Sequence, residues 1–248
     1  MVEFGDIRIT NVGDTAFNVE FGTVVDRRIN AKVMSLYEAI KSKNATDPLP
    51  GLVEVIPTFR SLLVSYDVCQ TTRAAIESLI YELLEQTRDS VSSFGRSWRI
   101  PVCYDGDLGP DVDDVCQACD LTRDELIALH SGAEYFVYMI GFMPGFSYLG
   151  GVPERLRLPR RLSPRVKVPA GSVAITEELS AVYPWESPGG WHLLGRTPVS
   201  FFDLARDPPV LLRAGDLVHF FPVDRSEFDR LSEGAAGLDP TSLLIKDH

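Results

Sequence analysis

The chain has 248 residues, with 24 Lys and Arg against 35 Asp and Glu, so its formal net charge is −11; 45% of its residues are hydrophobic. That length supports one large hydrophobic core or two smaller ones, and the composition is that of a globular protein rather than a disordered one. The acidic balance excludes a general binder of nucleic acid or anionic membrane. The most apolar run, Tyr135 to Met143, stops at Pro144 and is about half the length of a spanning helix, so no transmembrane segment is predicted. Glu3 and Asp6 open a terminus without a basic region and apolar run. A signal peptide is therefore not expected, and free thiols in a reducing cytoplasm are.

Residues 1–100 contain five Gly and three Pro, whereas residues 101–222 contain twelve Gly and thirteen Pro. Long regular elements are expected in the first half and short ones broken by turns in the second. The boundary is placed near 90–97, giving a domain over 1–92, a second over 97–225 and a C-terminal tail over 226–248 that is loosely held from Gly234. Phe17, Val19 and Phe21 alternate with polar residues as in a half-buried strand. Asp26 can cap a helix striped by Ile29, Val33, Leu36, Tyr37 and Ile40. Strands follow at Val53–Ile56 and Leu62–Tyr66, then a helix striped by Ile76, Leu79, Ile80, Leu83 and Leu84. This order predicts an α+β two-layer sandwich.

The second half begins with a strand over Trp98–Cys103 and two short helices. Asp111 is placed to cap the first, Thr122 and Glu125 form a capping box on the second, and Leu121 can staple to Leu126. Beyond Tyr135, strands are predicted at 135–140, 172–176, 192–196, 198–203, 210–212 and 217–222, separated by Gly and Pro turns. That spacing predicts a mainly-β barrel.

Cys116 and Cys119 share a face with Val112 and Val115 at helical spacing, so they read as core residues, and no metal site is predicted. Residues 154–167 hold six basic residues (Arg155, Arg157, Arg160, Arg161, Arg165 and Lys167) against one acidic. Such a cationic loop on an acidic protein is a candidate anion site, because guanidinium groups pair carboxylates bidentately. Self-pairing with the protein's own carboxylates is the competing reading. Phe142, Pro144 and Phe146, with Gly189, Gly190 and Trp191, are candidates for a pocket wall beside Arg160, Arg161 and Arg165; barrel corners are the alternative. His130 is a candidate acid or base, against a structural role at a helix end. Asp105 and Asp107 read as a turn cluster. The chain lacks the Gly-rich loop with Lys that cradles nucleotide phosphates, so it is not expected to bind ATP by that route or to hold a cofactor of its own.

Gly141–Gly151 (GFMPGFSYLGG), Pro159–Arg165 (PRRLSPR), Val168–Ile175 (VPAGSVAI) and Tyr183–Trp191 (YPWESPGGW), continued by Gly195–Pro198, resemble one family. It is the family of the 5-oxoprolinase B-subunit, also known as PxpB, KipI or allophanate hydrolase subunit 1. The likeness extends to Gly109–Asp111, His130 and Tyr138, and upstream to Gly13, Asp14, Val19–Gly22 and Ser61–Asp67. It implies a two-layer α+β N-terminal domain and a cyclophilin-like barrel. It also implies a homologous larger subunit (PxpC-like) and a third subunit (PxpA-like), a complex that uses ATP to open 5-oxoproline to glutamate, and a related role on allophanate or urea-like substrates. A KipI-like inhibitor of a histidine kinase is the alternative function that the family admits. One segment departs from the pattern. Where the family runs Gly-x-Gln-Thr-Gly-Ile, this chain has Glu177, Glu178, Leu179, Ser180, Ala181 and Val182. The loss of two Gly and an amide predicts costly backbone torsions and a changed substrate or activity, with drift on a surface loop as the alternative.

Overall fold

The structure, a computed structural model, describes residues 7–87, 95–233 and 240–245; residues 90–94 of the expected boundary lie outside the described residues. The chain divides into two compact units, Met1–Ser93 and Phe94–His248.

In the first unit the element order is β1 (Arg8–Asn11), β2 (Ala16–Glu20), α1 (Arg27–Thr46), β3 (Leu52–Pro57), β4 (Ser61–Tyr66) and α2 (Arg73–Gln86). The four strands form one antiparallel sheet in the order β1-β2-β4-β3. Strand periodicity puts Phe17 and Val19 of β2, and Leu62, Val64 and Tyr66 of β4, on one face. These residues form a single core with Val33, Leu36 and Ile40 of α1 and Ile76, Ile80, Leu83 and Leu84 of α2. Each such side chain contributes about 1.5–3 kcal/mol of burial. The start of α1 is set by Asp26, whose Oδ1 accepts from the backbone N–H of Arg28 at 2.7 Å.

The second unit holds a nearly closed seven-stranded sheet. Its strands are β5 (Ser97–Val102), β6 (Glu134–Ile140), β7 (Ser147–Gly150), β9 (Ser172–Thr176), β10 (Leu179–Val182), β12 (His192–Arg196) and β13 (Leu217–Pro222), in the order β12-β9-β10-β7-β6-β13-β5. All neighbours are antiparallel except β13 and β5. The two edges meet through Cys103 and Arg196, which exchange two backbone hydrogen bonds of 2.9 Å. Closure of this kind removes exposed edges. A separate pair is formed by β8 (Arg165–Val168) and β11 (Ser187–Gly189).

The sheet separates two apolar clusters. Val173, Ile175, Val182 and Leu194 join Trp98, Ile100, Tyr135, Val137 and Phe220 in the main core. Ala174, Ala181, Tyr183 and Leu193, which alternate with them, join Phe146, Val168 and Trp191 in a smaller one. Helices α3 (Val112–Cys119) and α4 (Arg123–Gly132) pack on the main core, with Cys116 and Cys119 half-buried against it. The capping box on α4 forms: Thr122 N–H donates to Glu125 at 2.8 Å, and Glu125 N–H donates to Thr122 Oγ1 at 3.2 Å.

Three expectations change. Residues 198–203 and 210–212 do not form strands but an isolated bridge between Phe202 and Val210. Pro198, Pro208 and Pro209 supply no N–H for a ladder there. The short strands β7, β8, β10 and β11 add to those expected from the sequence. The expected tail region holds structure: ahead of Gly234, α5 (Arg225–Glu233) buries Phe228 against Cys103 and Leu108. Further on, Leu244 bridges to Trp98, and Ile245 N–H donates to the Ser97 carbonyl at 2.8 Å.

Candidate functional site

Asp111 sits at the N-cap position of α3, yet its side chain makes no capping bond. The buried carboxylate turns instead to the cationic loop. Its Oδ1 accepts from Arg161 at 2.7 Å and from Arg165 at 2.5 Å. Its Oδ2 accepts from Arg165 at 2.8 Å and from the Leu193 N–H at 2.7 Å. Two guanidinium groups and one carboxylate leave a net positive cluster, and the charge-assisted contacts within it are of the strong kind. Two more bonds fix the loop: Arg161 N–H donates to the Gly190 carbonyl at 2.8 Å, and His192 Nε2–H donates to the Pro159 carbonyl at 2.9 Å. The self-pairing reading of Arg161 and Arg165 therefore describes their geometry. Arg160, between the two anchored residues, is exposed and has no ion pair or hydrogen bond with another described residue.

The aromatic residues gather beside this loop. Phe146 meets Phe142, Tyr148, Tyr183 and Trp191 edge to face, with centroids 5.3, 5.0, 5.2 and 6.0 Å away. Phe146 and Trp191 are buried parts of the smaller core, whereas Phe142 and Pro144 stand in solvent. Phe142 has φ 68°, a left-handed backbone costly for a bulky side chain, and its ring is 65% exposed. The turn that carries it needs Gly145, at φ 82°, where a Cβ would lie 2.9 Å from the Phe201 carbonyl. Gly189 serves close packing, since a Cβ there would lie 2.5 Å from the Tyr183 hydroxyl. Burial pushes the Tyr183 phenol up to about 12, an effect partly opposed by the charge of Arg160.

His130 is placed elsewhere. Its ring is fully buried in the main core, stacks on Phe220 with centroids 5.0 Å apart, and shares a 2.8 Å hydrogen bond through Nδ1 with the Tyr104 hydroxyl. Burial pulls its pKa down to about 3, so the ring is neutral at physiological pH. It is not brought together with the arginines. Asp107 pairs with Arg225 at 2.9 Å, in keeping with a structural turn. A surface groove lined by Arg99, Ser131, His219, Phe220, Phe221, Pro222 and Ile245 contains none of the expected site residues.

The divergent segment 177–182 is the exposed turn (177–178) and the second strand (179–182) of the hairpin between β9 and β10. Glu177 takes φ 48°, the left-handed torsion that a Gly there would supply, but Ala181 is extended in β10 and pairs with Ala174. Leu179 packs against the aromatic cluster, and Ser180 is buried on the opposite face. Two residues of the site escape sequence reasoning. Asp111 reads locally as a cap, because nothing nearby shows that a carboxylate serves residues fifty positions away. Tyr183 carries only a family-motif signal.

The chain is similar to known proteins. Residues 7–212 match the family model "Carboxyltransferase domain, subdomain C and D". The 5-oxoprolinase B-subunit of Bacillus subtilis is 37% identical over 91% of this chain and 97% of that protein. A crystal structure of TTHA0988 superposes with a TM-score of 0.74 at 36% identity, covering 84% of this chain and 40% of that one. The urea amidolyase of K. lactis, 21% identical, covers 92% of this chain and 15% of its own with a TM-score of 0.74, a likeness of fold alone. With a bacterial relative matched almost end to end and the family model spanning most of both units, the chain belongs to the 5-oxoprolinase B-subunit (PxpB) family, built on the C and D subdomains of the carboxyltransferase domain.

Proposed function

We propose that this chain is one subunit of an ATP-dependent complex that opens 5-oxo-L-proline to L-glutamate, acting with a homologous larger PxpC-like subunit and a PxpA-like third subunit in the cytoplasm. In this reading the first unit is a two-layer α+β sandwich and the second a cyclophilin-like barrel. The observation that carries the proposal is the 37% identity to a 5-oxoprolinase B-subunit over 97% of that protein.

The local chemistry is compatible with the substrate. 5-Oxoproline is a compact ring bearing one carboxylate, which calls for a cation beside a flat apolar surface. Arg160, on the backbone held by Gly190 and His192, stands beside the cluster of Phe142, Phe146, Tyr148, Tyr183 and Trp191. In this reading the guanidinium holds the carboxylate, and the exposed Phe142 and half-buried Tyr148, backed by the buried rings, meet the ring of the substrate. ATP supplies the driving force within the complex, and no residue of this chain is assigned to it. His130, buried and neutral, supports the fold rather than proton transfer.

The test is ATP-dependent release of glutamate from 5-oxo-L-proline by this chain with its two partner subunits. Release that requires all three chains is expected. No release, with the same partners active alongside another family member, would refute the reading. If activity returned on restoring Gln, Thr and Gly at 179, 180 and 181, the loss would trace to the divergent hairpin.

A further inference from the structure

We infer that Arg160 is the anion-recognising cation of this chain, and that Arg161, Arg165 and Asp111 form the brace that presents it. The inference deepens the proposed function and rests on it for the choice of ligand. Its chemical class is a small carboxylate carried on a compact apolar body.

Three observations lead there. First, the three neighbouring arginines are not equivalent. Arg161 and Arg165 spend their donors on both oxygens of buried Asp111, at 2.5 to 2.8 Å. Arg160 is exposed and makes no ion pair with another described residue, although the protein carries a surplus of eleven negative charges. A long, flexible cation in such a protein would be expected to find a carboxylate of its own. Second, its backbone is immobilised on both sides. The Pro159 carbonyl is held by His192 at 2.9 Å and the Arg161 N–H by the Gly190 carbonyl at 2.8 Å. Less ordering entropy then remains to be lost when a ligand is bound. Third, the bonds to Gly190 and His192 seat Arg160 beside Trp191 and its aromatic cluster, within electrostatic reach of the Tyr148 and Tyr183 phenols. Gly189 lets the Tyr183 hydroxyl approach the backbone there, where any Cβ would sit 2.5 Å from it. An unpaired guanidinium on a held backbone, beside aromatic residues, is matched to a ring that carries a carboxylate.

The inference separates two roles that a cationic loop would otherwise blur. Arg160→Gln is expected to lower ligand affinity without lowering Tm, whereas changes to the brace lower Tm. Binding of 5-oxo-L-proline and of 2-pyrrolidinone, the same ring without the carboxylate, is measured by calorimetry on the full chain. The variants are Arg160→Gln, Arg160→Lys and the charge-matched Arg155→Gln, which lies outside the aromatic cluster. Expected is a loss of at least tenfold in 5-oxo-L-proline affinity for Arg160→Gln, partial recovery in Arg160→Lys, and a change under twofold for Arg155→Gln. Binding of 2-pyrrolidinone stays the same throughout.

An unchanged affinity in Arg160→Gln overturns the inference. So does an equal loss in Arg155→Gln, which would mean bulk electrostatics, and so does a wild-type chain that binds no carboxylate. The assembled complex separates this from the function itself. Turnover by the wild-type complex with KM unmoved by Arg160→Gln defeats the inference and leaves the 5-oxoprolinase reading standing. Carboxylate binding through Arg160 without turnover defeats that reading and leaves the inference standing.

Discussion

Replacing Asp111 by Asn removes one charge from the brace at nearly constant volume. The Asp111 side chain is 1% exposed, and the side chains of Arg161 and Arg165 are 25% and 24% exposed. Breaking a fully buried pair by removing one partner costs about 3–5 kcal/mol. Partial exposure lets water solvate the stranded arginines, which reduces this to about 2–4 kcal/mol. The Asn amide also turns N–H donors toward the guanidinium groups or toward the Leu193 N–H, all of which donate to Oδ1 and Oδ2 of the native carboxylate. For a unit of this size each kcal/mol moves Tm by about 2–4 °C, so a fall of about 4–16 °C is expected. The assay is thermal unfolding followed by near-UV circular dichroism at 0.1 M and 1 M salt. A buried contact is screened little by salt, whereas a surface contact is screened strongly. A shift under about 2 °C, or a difference that disappears at 1 M salt, would refute the brace.

Two further predictions concern the core and the divergent hairpin. The pKa of His130 falls from 6.5 to about 3 on folding. Between those values the unfolded chain binds the extra proton, so this residue's contribution is complete above pH 6.5. It is lost as pH drops toward 3, by up to about 5 kcal/mol in all. His130→Gln, which keeps an acceptor for the Tyr104 hydroxyl, should flatten the decline in stability between pH 6.5 and 4.5 measured by urea unfolding; parallel wild-type and variant profiles would contradict this. Glu177→Gly relieves a left-handed torsion at φ 48° and should stabilise the chain by about 1 kcal/mol, read as a higher urea midpoint with an unchanged slope. A lower midpoint would show that the Glu177 side chain contributes more than its backbone costs.

Much of the local structure is legible in the sequence because it depends on neighbours within a few positions. The stripe of Val33, Leu36 and Ile40, the Asp26 cap and the Thr122–Glu125 box follow from helical spacing and from backbone N–H groups that need acceptors. The motifs from Gly141 to Pro198 point to the family as a string, and the cationic loop is visible as a charge anomaly in an acidic chain. What lies beyond reach is each decision made between distant segments. Asp111 is legible as a cap; only the fold brings Arg161 and Arg165 to it, and a buried carboxylate gains more from two guanidinium groups than from one backbone N–H. The exchange between Cys103 and Arg196 that closes the sheet has no sequence signal, because any residue other than proline offers the same backbone donor and acceptor. Residues 198–203 alternate plausibly for a strand, yet a strand exists only where a partner's ladder can meet it, and the nearby prolines offer none. His130 shows its residue type in the sequence but not its burial, and it is burial that determines its protonation state.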